Sequence, residues 1–338
     1  IITDDTSGLI VLNQTDISSL ETLSTCSDLN APFMVRYHAF FAYVLDNDGV
    51  VKIVNITDTA DANLVGNISL VSAVNDISIH NHRAYLCRGE LGIKSVEIAT
   101  KYYWDGGIQH GFMETIGLDP TVSSGSISDP IGVYRDYVIM FNDKYGKTYG
   151  NCEEKVYMYD VSNPSNPYII DNITISANIM AMTVSHDTAY LYIKNDTTQG
   201  FLALNLTDPY NMSIYSNYTF SYVSYGEQMG LFIDGDLAYV GLERGLGIIN
   251  ISDPTDLDEV SITDVGSIKD VLVDGDFAYV VTTNAIKVLN ISDAINPQYI
   301  EYRSIRHYSM QQIAYYRGFL YYETSSDQIT IFDCSDPY

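Results

Sequence analysis

Apolar and polar residues alternate with a period of two through most of this chain, in runs rich in Val, Ile, Tyr and Thr. The runs are punctuated by Asp-Gly, Asn-Asp and Asp-Pro. A period of two sends successive side chains to opposite faces, so the pattern predicts β-strands throughout and no helix. One phrase returns eight times: LIVLNQTD, VKIVNITD, IKSVEIAT, VYMYDVSNP, LALNLTDP, GIINISDP, IKVLNISD and TIFDCSDP. Its spacing of about 40 to 50 residues is that of a propeller blade rather than a helical solenoid. A second phrase, a Tyr with small, β-branched or aromatic neighbours in a short run, recurs seven times between the copies of the first. It stands at Ala42-Tyr43-Val44, Ala84-Tyr85-Leu86, Tyr137-Val138-Ile139, Ala189-Tyr190-Leu191, Ala238-Tyr239-Val240, Ala278-Tyr279-Val280 and Leu320-Tyr321-Tyr322.

Each unit therefore reads as a first strand such as VNDISIH, the second strand with its Tyr, a third strand such as VKIVN, and an outer strand such as LVGNISL. Asp234-Gly235-Asp236 and Asp274-Gly275-Asp276 suit hairpins that need positive φ. The Asn or Asp closing each third strand can bond its own following backbone. Radial repetition of such units predicts an all-β, seven-bladed β-propeller of four-stranded antiparallel blades, one domain over residues 1–338. Residues 8–25 and 309–338 are expected to share the closing blade. Eight third strands for seven blades leaves one surplus terminal copy, GLIVLN or ITIFDC.

The same phrases resemble the LVIVD-repeat family of bacterial and archaeal cell-surface β-propeller proteins, most closely in VYMYDVSNPSNP, Val156 to Pro167, and LGIINISDP, Leu246 to Pro254. The resemblance covers nearly the whole chain. It implies location more than activity, because those proteins have no defined common role.

Composition narrows the partners. Of 338 residues, 43 are acidic and 17 basic, and the net charge of -26 repels nucleic acid and anionic membranes while favouring solubility, cations or basic partners. No window is apolar enough for a membrane helix, and no signal peptide is present. Ile rather than Met at position 1 leads us to expect a processed chain. Ten Asn-x-Ser/Thr sequons support an extracellular glycoprotein: Asn13, Asn55, Asn67, Asn172, Asn195, Asn205, Asn211, Asn217, Asn250 and Asn290. Five of them, Asn13, Asn55, Asn205, Asn250 and Asn290, occupy the motif position where Asp160 and Asp333 stand elsewhere, and so also read as turn residues. Asn67, Asn172 and Asn217 recur in outer strands, where a glycan would shield an open edge.

Four cysteines in a surface protein suggest disulfides. Cys87 ends a second strand and Cys152 lies in the corresponding turn of the next unit, so these two are expected to bridge. Cys26 and Cys334 fall on opposite faces of the simple propeller, beyond disulfide reach. Either the terminal strands lie elsewhere or these two pair between chains.

Candidate chemistry is sparse. His38, His80 and His186 fall near the same turn, yet on different blades, and read as turn residues before metal ligands. LDNDGVV, with Asp46, Asp48 and Gly49, has the start of a calcium loop without its distal bidentate Glu, and reads as a hairpin turn. Structural calcium is the one cofactor left open. No nucleophile elbow, zinc helix, phosphate loop or paired CxxC appears, and the acids are too evenly spread to nominate a catalytic pair. No enzyme is expected. Two readings of function remain. The first is a secreted, glycosylated structural or adhesive protein that assembles with itself, or with other surface proteins and glycans, through the surplus terminal strand. The second is a carbohydrate- or ligand-binding, or hydrolytic, propeller that uses a channel mouth and the aromatic loop at Tyr102, Tyr103 and Trp104.

Overall fold

The computed structural model describes residues 1–4, 7–13, 21–38, 40–46, 50–69, 74, 76–80, 83–87, 93–97, 103–105, 108–110, 114–115, 132–134, 136–142, 153–162, 168–195, 198–221, 230–282, 285–304, 313–316, 319–324 and 328–334. Every regular element among them is a β-strand. Six antiparallel sheets have four strands in chain order. Sheet 2 comprises Pro32–His38, Phe41–Asp46, Val50–Asn55 and Asn63–Ser69. Sheet 3 comprises Asp76–His80, Arg83–Cys87, Ile93–Glu97 and Glu114–Thr115. Sheet 4 comprises Gly132–Tyr134, Tyr137–Asn142, Glu154–Asp160 and Tyr168–Ile175. Sheet 5 comprises Asn178–Ser185, Thr188–Lys194, Gln199–Asn205 and Ser213–Phe220. Sheet 6 comprises Leu231–Asp234, Leu237–Gly241, Gly245–Asn250 and Asp258–Asp264. Sheet 7 comprises Ile268–Asp274, Phe277–Thr282, Ala285–Asn290 and Gln298–Ser304.

The two ends form three-stranded sheets. Sheet 1 is Ile2–Asp4, Gly8–Asn13 and Glu21–Cys26, and sheet 8 is Ile313–Tyr316, Phe319–Thr324 and Gln328–Asp333. This corrects the expected blade count, giving six four-stranded blades rather than seven. The reason is the short strand Ile2–Asp4, which pairs with Gly8–Asn13 from Ile2 opposite Ile10 to Asp4 opposite Gly8. Glu21–Cys26 takes the other edge, so Gly8–Asn13 is paired on both sides within sheet 1. It therefore does not serve as a third strand for sheet 8, which has its own in Gln328–Asp333. Gly8 makes this arrangement, since its φ is +87° and an added Cβ would lie 2.1 Å from the Cys26 carbonyl oxygen.

By compactness the chain divides into two units, residues 1–146 with 156–172, and residues 147–155 with 173–338. Inside each unit successive sheets pack face to face. In the first, Leu9 and Val11 of sheet 1 meet Ala42, Val44 and Val54 of sheet 2, and Tyr43, Val51 and Ile53 meet Ile77 and Leu86 of sheet 3. Tyr85 of sheet 3 then packs on Val138, Met140 and Tyr159 of sheet 4. In the second unit the same stacking joins sheets 5 and 6, 6 and 7, and 7 and 8. Strands covered on both faces need apolar residues at successive positions, which is why Phe41–Asp46 is buried along its whole length. Each fully buried large side chain contributes about 1.5–3 kcal/mol. The repeated Tyr of the second strand is therefore core: Tyr43, Tyr85, Tyr190, Tyr239 and Tyr279 are all buried.

The third strands end in a repeated turn. Asn55, Asn205, Asn250 and Asn290 accept through Oδ1 from the backbone N–H two residues on, at 2.9–3.0 Å, and Asp160 does the same with Ser162 at 2.8 Å. Three residues later Asp58, Asp208, Asp253 and Asp293 each accept again from the second N–H beyond. Consecutive Asx-turns hold the loop that leads into the outer strand.

Each of five outer strands carries a β-bulge at the same place, in sheets 1, 2, 5, 6 and 7. The extra residues, Leu23, Val65, Tyr215, Val260 and Ile300, are all apolar and pack at the interface with the following sheet. A bulge re-aims a side chain in this way. The residue after it is a serine in three sheets, and its hydroxyl donates to the turn of the next sheet. Ser24 reaches Thr59 O at 2.8 Å, Ser216 reaches Pro254 O at 2.8 Å, and Ser261 reaches Ala294 O at 2.6 Å.

Candidate functional site

The sequon asparagines separate into two groups by environment. At the ends of third strands, Asn55, Asn205, Asn250 and Asn290 are half-buried. Besides the backbone bonds, the hydroxyls of Thr57, Thr207 and Ser292 donate to the Oδ1 of Asn55, Asn205 and Asn290 at 2.6–2.7 Å. The Ser or Thr that completes each of these sequons is thus part of the turn. Asn13 ends the third strand of sheet 1 and is half-buried too. Asn195 lies in the hairpin between second and third strands of sheet 5, with Oδ1 accepting from Thr198 N at 2.7 Å and Thr198 Oγ1 at 2.9 Å.

Asn67, Asn172 and Asn217 are different. Each is the fifth residue of an outer strand, in sheets 2, 4 and 5, and each is exposed. An outer strand has its ladder on one side only, so these amides stand beside an open row of backbone groups. Among the described contacts no hydrogen bond engages their side chains. Asn211 is exposed as well, in the Asp208 turn, where its N–H donates to Asp208 O at 3.0 Å. The equivalent fifth position in sheet 6 is Ile262, also exposed.

Cys26 and Cys334 are thiols, not disulfides, and both are buried. Cys26 packs with Leu9, Val11 and Ala42, and Cys334 with Leu320 and Tyr279. Neither sulfur is presented at the surface of this single chain. Burial also pushes the Cys26 thiol above its ordinary pKa, keeping it protonated and unreactive. The Cys87–Cys152 bridge lies outside the described residues: Cys87 closes the second strand of sheet 3, but its side chain is not described, nor is Cys152.

Asp46 is buried, and both its carboxylate oxygens accept from Asn30 N, at 2.9 and 2.7 Å. This side chain of the calcium-like loop therefore fixes the entry to sheet 2. Asp48 and Gly49 lie outside the described residues. Glu154 acts alike in the second unit, buried and accepting from Ile179 N at 2.8 Å. His38 and His80 close first strands, whereas His186 takes the next position, with φ +53°, where Gly235 and Gly275 stand in sheets 6 and 7. Its Nδ1 lies 3.0 Å from Ser185 Oγ. Among the described residues no three His, Cys, Asp or Glu side chains converge. Tyr102 is outside the described residues. Tyr103 and Trp104 belong to a separate hairpin, Tyr103–Asp105 with Ile108–His110, whose side chains are likewise outside the description.

Tyrosines carry the perturbed acidities. Burial raises Tyr85, Tyr190, Tyr192 and Tyr239. Tyr218 is pushed up to about 12 by desolvation and by Glu259, whose Oε2 accepts from its hydroxyl at 2.6 Å. These are core and interface tyrosines rather than acid-base groups in a cleft.

Sheets stacked face to face, each with its first strand, hairpins and outer edge in the same order, define the protein class as an all-β propeller built from four-stranded antiparallel blades. Residues 225–265 and 265–301 each match the LVIVD repeat, so the chain carries LVIVD repeats across sheets 6 and 7. Among solved structures it is similar to Sqt1 of Saccharomyces cerevisiae, at 10% identity and TM-score 0.70, covering 96% of this chain and 89% of that one. It is also similar to a functionally unknown protein from Desulfotomaculum acetoxidans DSM 771, at 13% identity and TM-score 0.62, covering 88% and 93%. BamB from Moraxella catarrhalis is similar at 12% identity and TM-score 0.62, covering 97% and 89%. At these identities the likeness concerns the fold. No curated protein matches the sequence.

Proposed function

We propose that this chain is an extracellular, N-glycosylated propeller with a structural or adhesive role at a cell surface. The observation that carries the reading is the placement of Asn67, Asn172 and Asn217 at one position of the outer strand in three sheets, each exposed on an open edge. A glycan there adds bulk and hydration where a bare edge would pair with another chain. The high negative charge fits a protein that stays soluble in a crowded exterior. Glycopeptide mass spectrometry of the native protein tests this reading directly.

Self-assembly is the second part of the proposal. Gln328–Asp333 pairs with Phe319–Thr324 on one side and ends its sheet on the other, so ITIFDC rather than GLIVLN offers the open edge. A strand from a neighbouring copy, laid along that edge, would add a fourth strand to the three described in sheet 8. Head-to-tail addition of this kind does not close and builds filaments or lattices. No catalytic role is proposed.

A further inference from the structure

A cavity of about 250 Å³ opens between sheets 5 and 6, lined by Gln199, Phe220, Leu242, Arg244, Ile262 and Asp264 among others. Beside its lining residues Phe220 and Leu242 the repeat changes. Three residues before the Asn that closes the third strand, sheet 7 has Lys287, whose Nζ donates to Val265 O of the preceding sheet at 2.6 Å. Sheet 6 has Gly247 at that place. A Cβ there would meet Leu242 at 3.1 Å and Phe220 at 3.4 Å, so these two side chains stand where a longer one would project.

The polar groups on this cavity restrict what it can hold. Gln199 is 1% exposed, and its Oε1 accepts from Tyr192 Oη at 2.7 Å. Its Nε2 is buried with no hydrogen-bond partner. A buried donor left unpaired costs about 1–3 kcal/mol, so an occupant that accepts from it is favoured. Gln199 lines the cavity, so this amide is the unpaired buried donor beside any occupant. At the mouth, Arg244 Nε and Asp264 Oδ2 lie 3.5 Å apart and are both well exposed. Their charges cancel. An ammonium or carboxylate ligand would compete with that pair for one of its partners, and a purely apolar one would leave Nε2 unsatisfied.

We propose that this cavity binds a single neutral sugar unit, its C–H face on Phe220, Leu242 and Ile262 and its hydroxyls on Gln199 and Asp264. Hydroxyls suit the site because each both donates and accepts, so one ring can accept from the Gln199 amide and donate to the Asp264 carboxylate. The volume lies below the roughly 300 Å³ at which drug-sized pockets begin, which gives room for one ring rather than a chain. The proposal is independent of glycosylation, of self-assembly and of the Tyr102–Trp104 loop.

Saturation-transfer difference NMR tests it with D-glucose, D-galactose and N-acetylglucosamine as neutral probes, and with glucuronate and glucosamine as charged ones. At least one neutral sugar is expected to receive transfer with millimolar affinity and to outcompete its charged counterparts. Ile262→Trp, a change at an exposed position of the outer strand, closes the mouth and is expected to abolish the signal; Gln199→Met is expected to do the same by removing the amide. Trp104→Ala is expected to leave it intact. Absence of transfer to every neutral sugar, preference for a charged probe, transfer that survives Ile262→Trp, or loss in Trp104→Ala would each overturn the assignment.

Discussion

Single side chains here act mostly by satisfying backbone groups, and this makes their substitutions predictable. Asp46 is buried and answers the Asn30 N–H with both oxygens, so Asp46→Ala is expected to lower stability by about 1.5–3 kcal/mol, the worth of a hydrogen bond to a charged group. A denaturant midpoint close to wild type would show that Asn30 finds another acceptor. At the closing position of the third strand, Asn205→Asp is expected to leave the midpoint nearly unchanged, because Asp160 holds the same turn in sheet 4. Tyr218 titrates with a definite sign. Its folded-state pKa of about 12 stands above the ordinary 10.0, so its proton contributes stability that is complete below pH 10 and is lost as pH rises through about 12. Ultraviolet titration of wild type minus Tyr218→Phe is expected to give a difference midpoint near 12; a midpoint near 10 would mean that Glu259 does not hold the phenol. These roles were unevenly legible in the sequence. Asp46 drew attention as a calcium-like acid, because spacing alone does not reveal that a backbone amide sixteen positions away claims both its oxygens.

Strands and turns were the most readable level, since period-two alternation and the Asn-x-Ser/Thr-Asp phrase encode local geometry that needs no distant partner. The seven Tyr-centred strands all form. Two things stayed hidden. Ile2–Asp4 is only three residues long, too short to carry a period, yet it takes the edge of Gly8–Asn13 and makes sheet 1 three-stranded. The bulges were also missed, because a bulge appears only when two strands are set in register. Aligning outer strands would have revealed the recurring apolar-serine pairs Leu23-Ser24, Tyr215-Ser216 and Val260-Ser261. Those serines connect neighbouring sheets, so Ser216→Ala and Ser261→Ala are each expected to cost about 1 kcal/mol. With no shared partner the two losses should add, as judged by denaturant unfolding of the double variant. Losses well below half of this would place the staples in the solvent-exchanged class of surface bonds.

At the scale of the whole molecule, the acidic composition, the stacked sheets and the sequons on open edges belong to one design, in which edges are either paired, covered or shielded. The exception is Gln328–Asp333. If that edge recruits a second copy, negative-stain micrographs and sedimentation of the purified protein should reveal assemblies that disperse when Thr330→Pro removes a backbone donor from the strand. Thermal unfolding near wild type would confirm that the variant remains folded, and assemblies that persist in it would rule out this edge. The central claim, that outer strands are the modified face of an extracellular propeller, is tested most directly by glycopeptide mass spectrometry of native material. The account predicts glycans on Asn67, Asn172 and Asn217, with lower occupancy on the half-buried turn residues Asn55, Asn205, Asn250 and Asn290. Unmodified asparagine at all three outer-strand positions would contradict it.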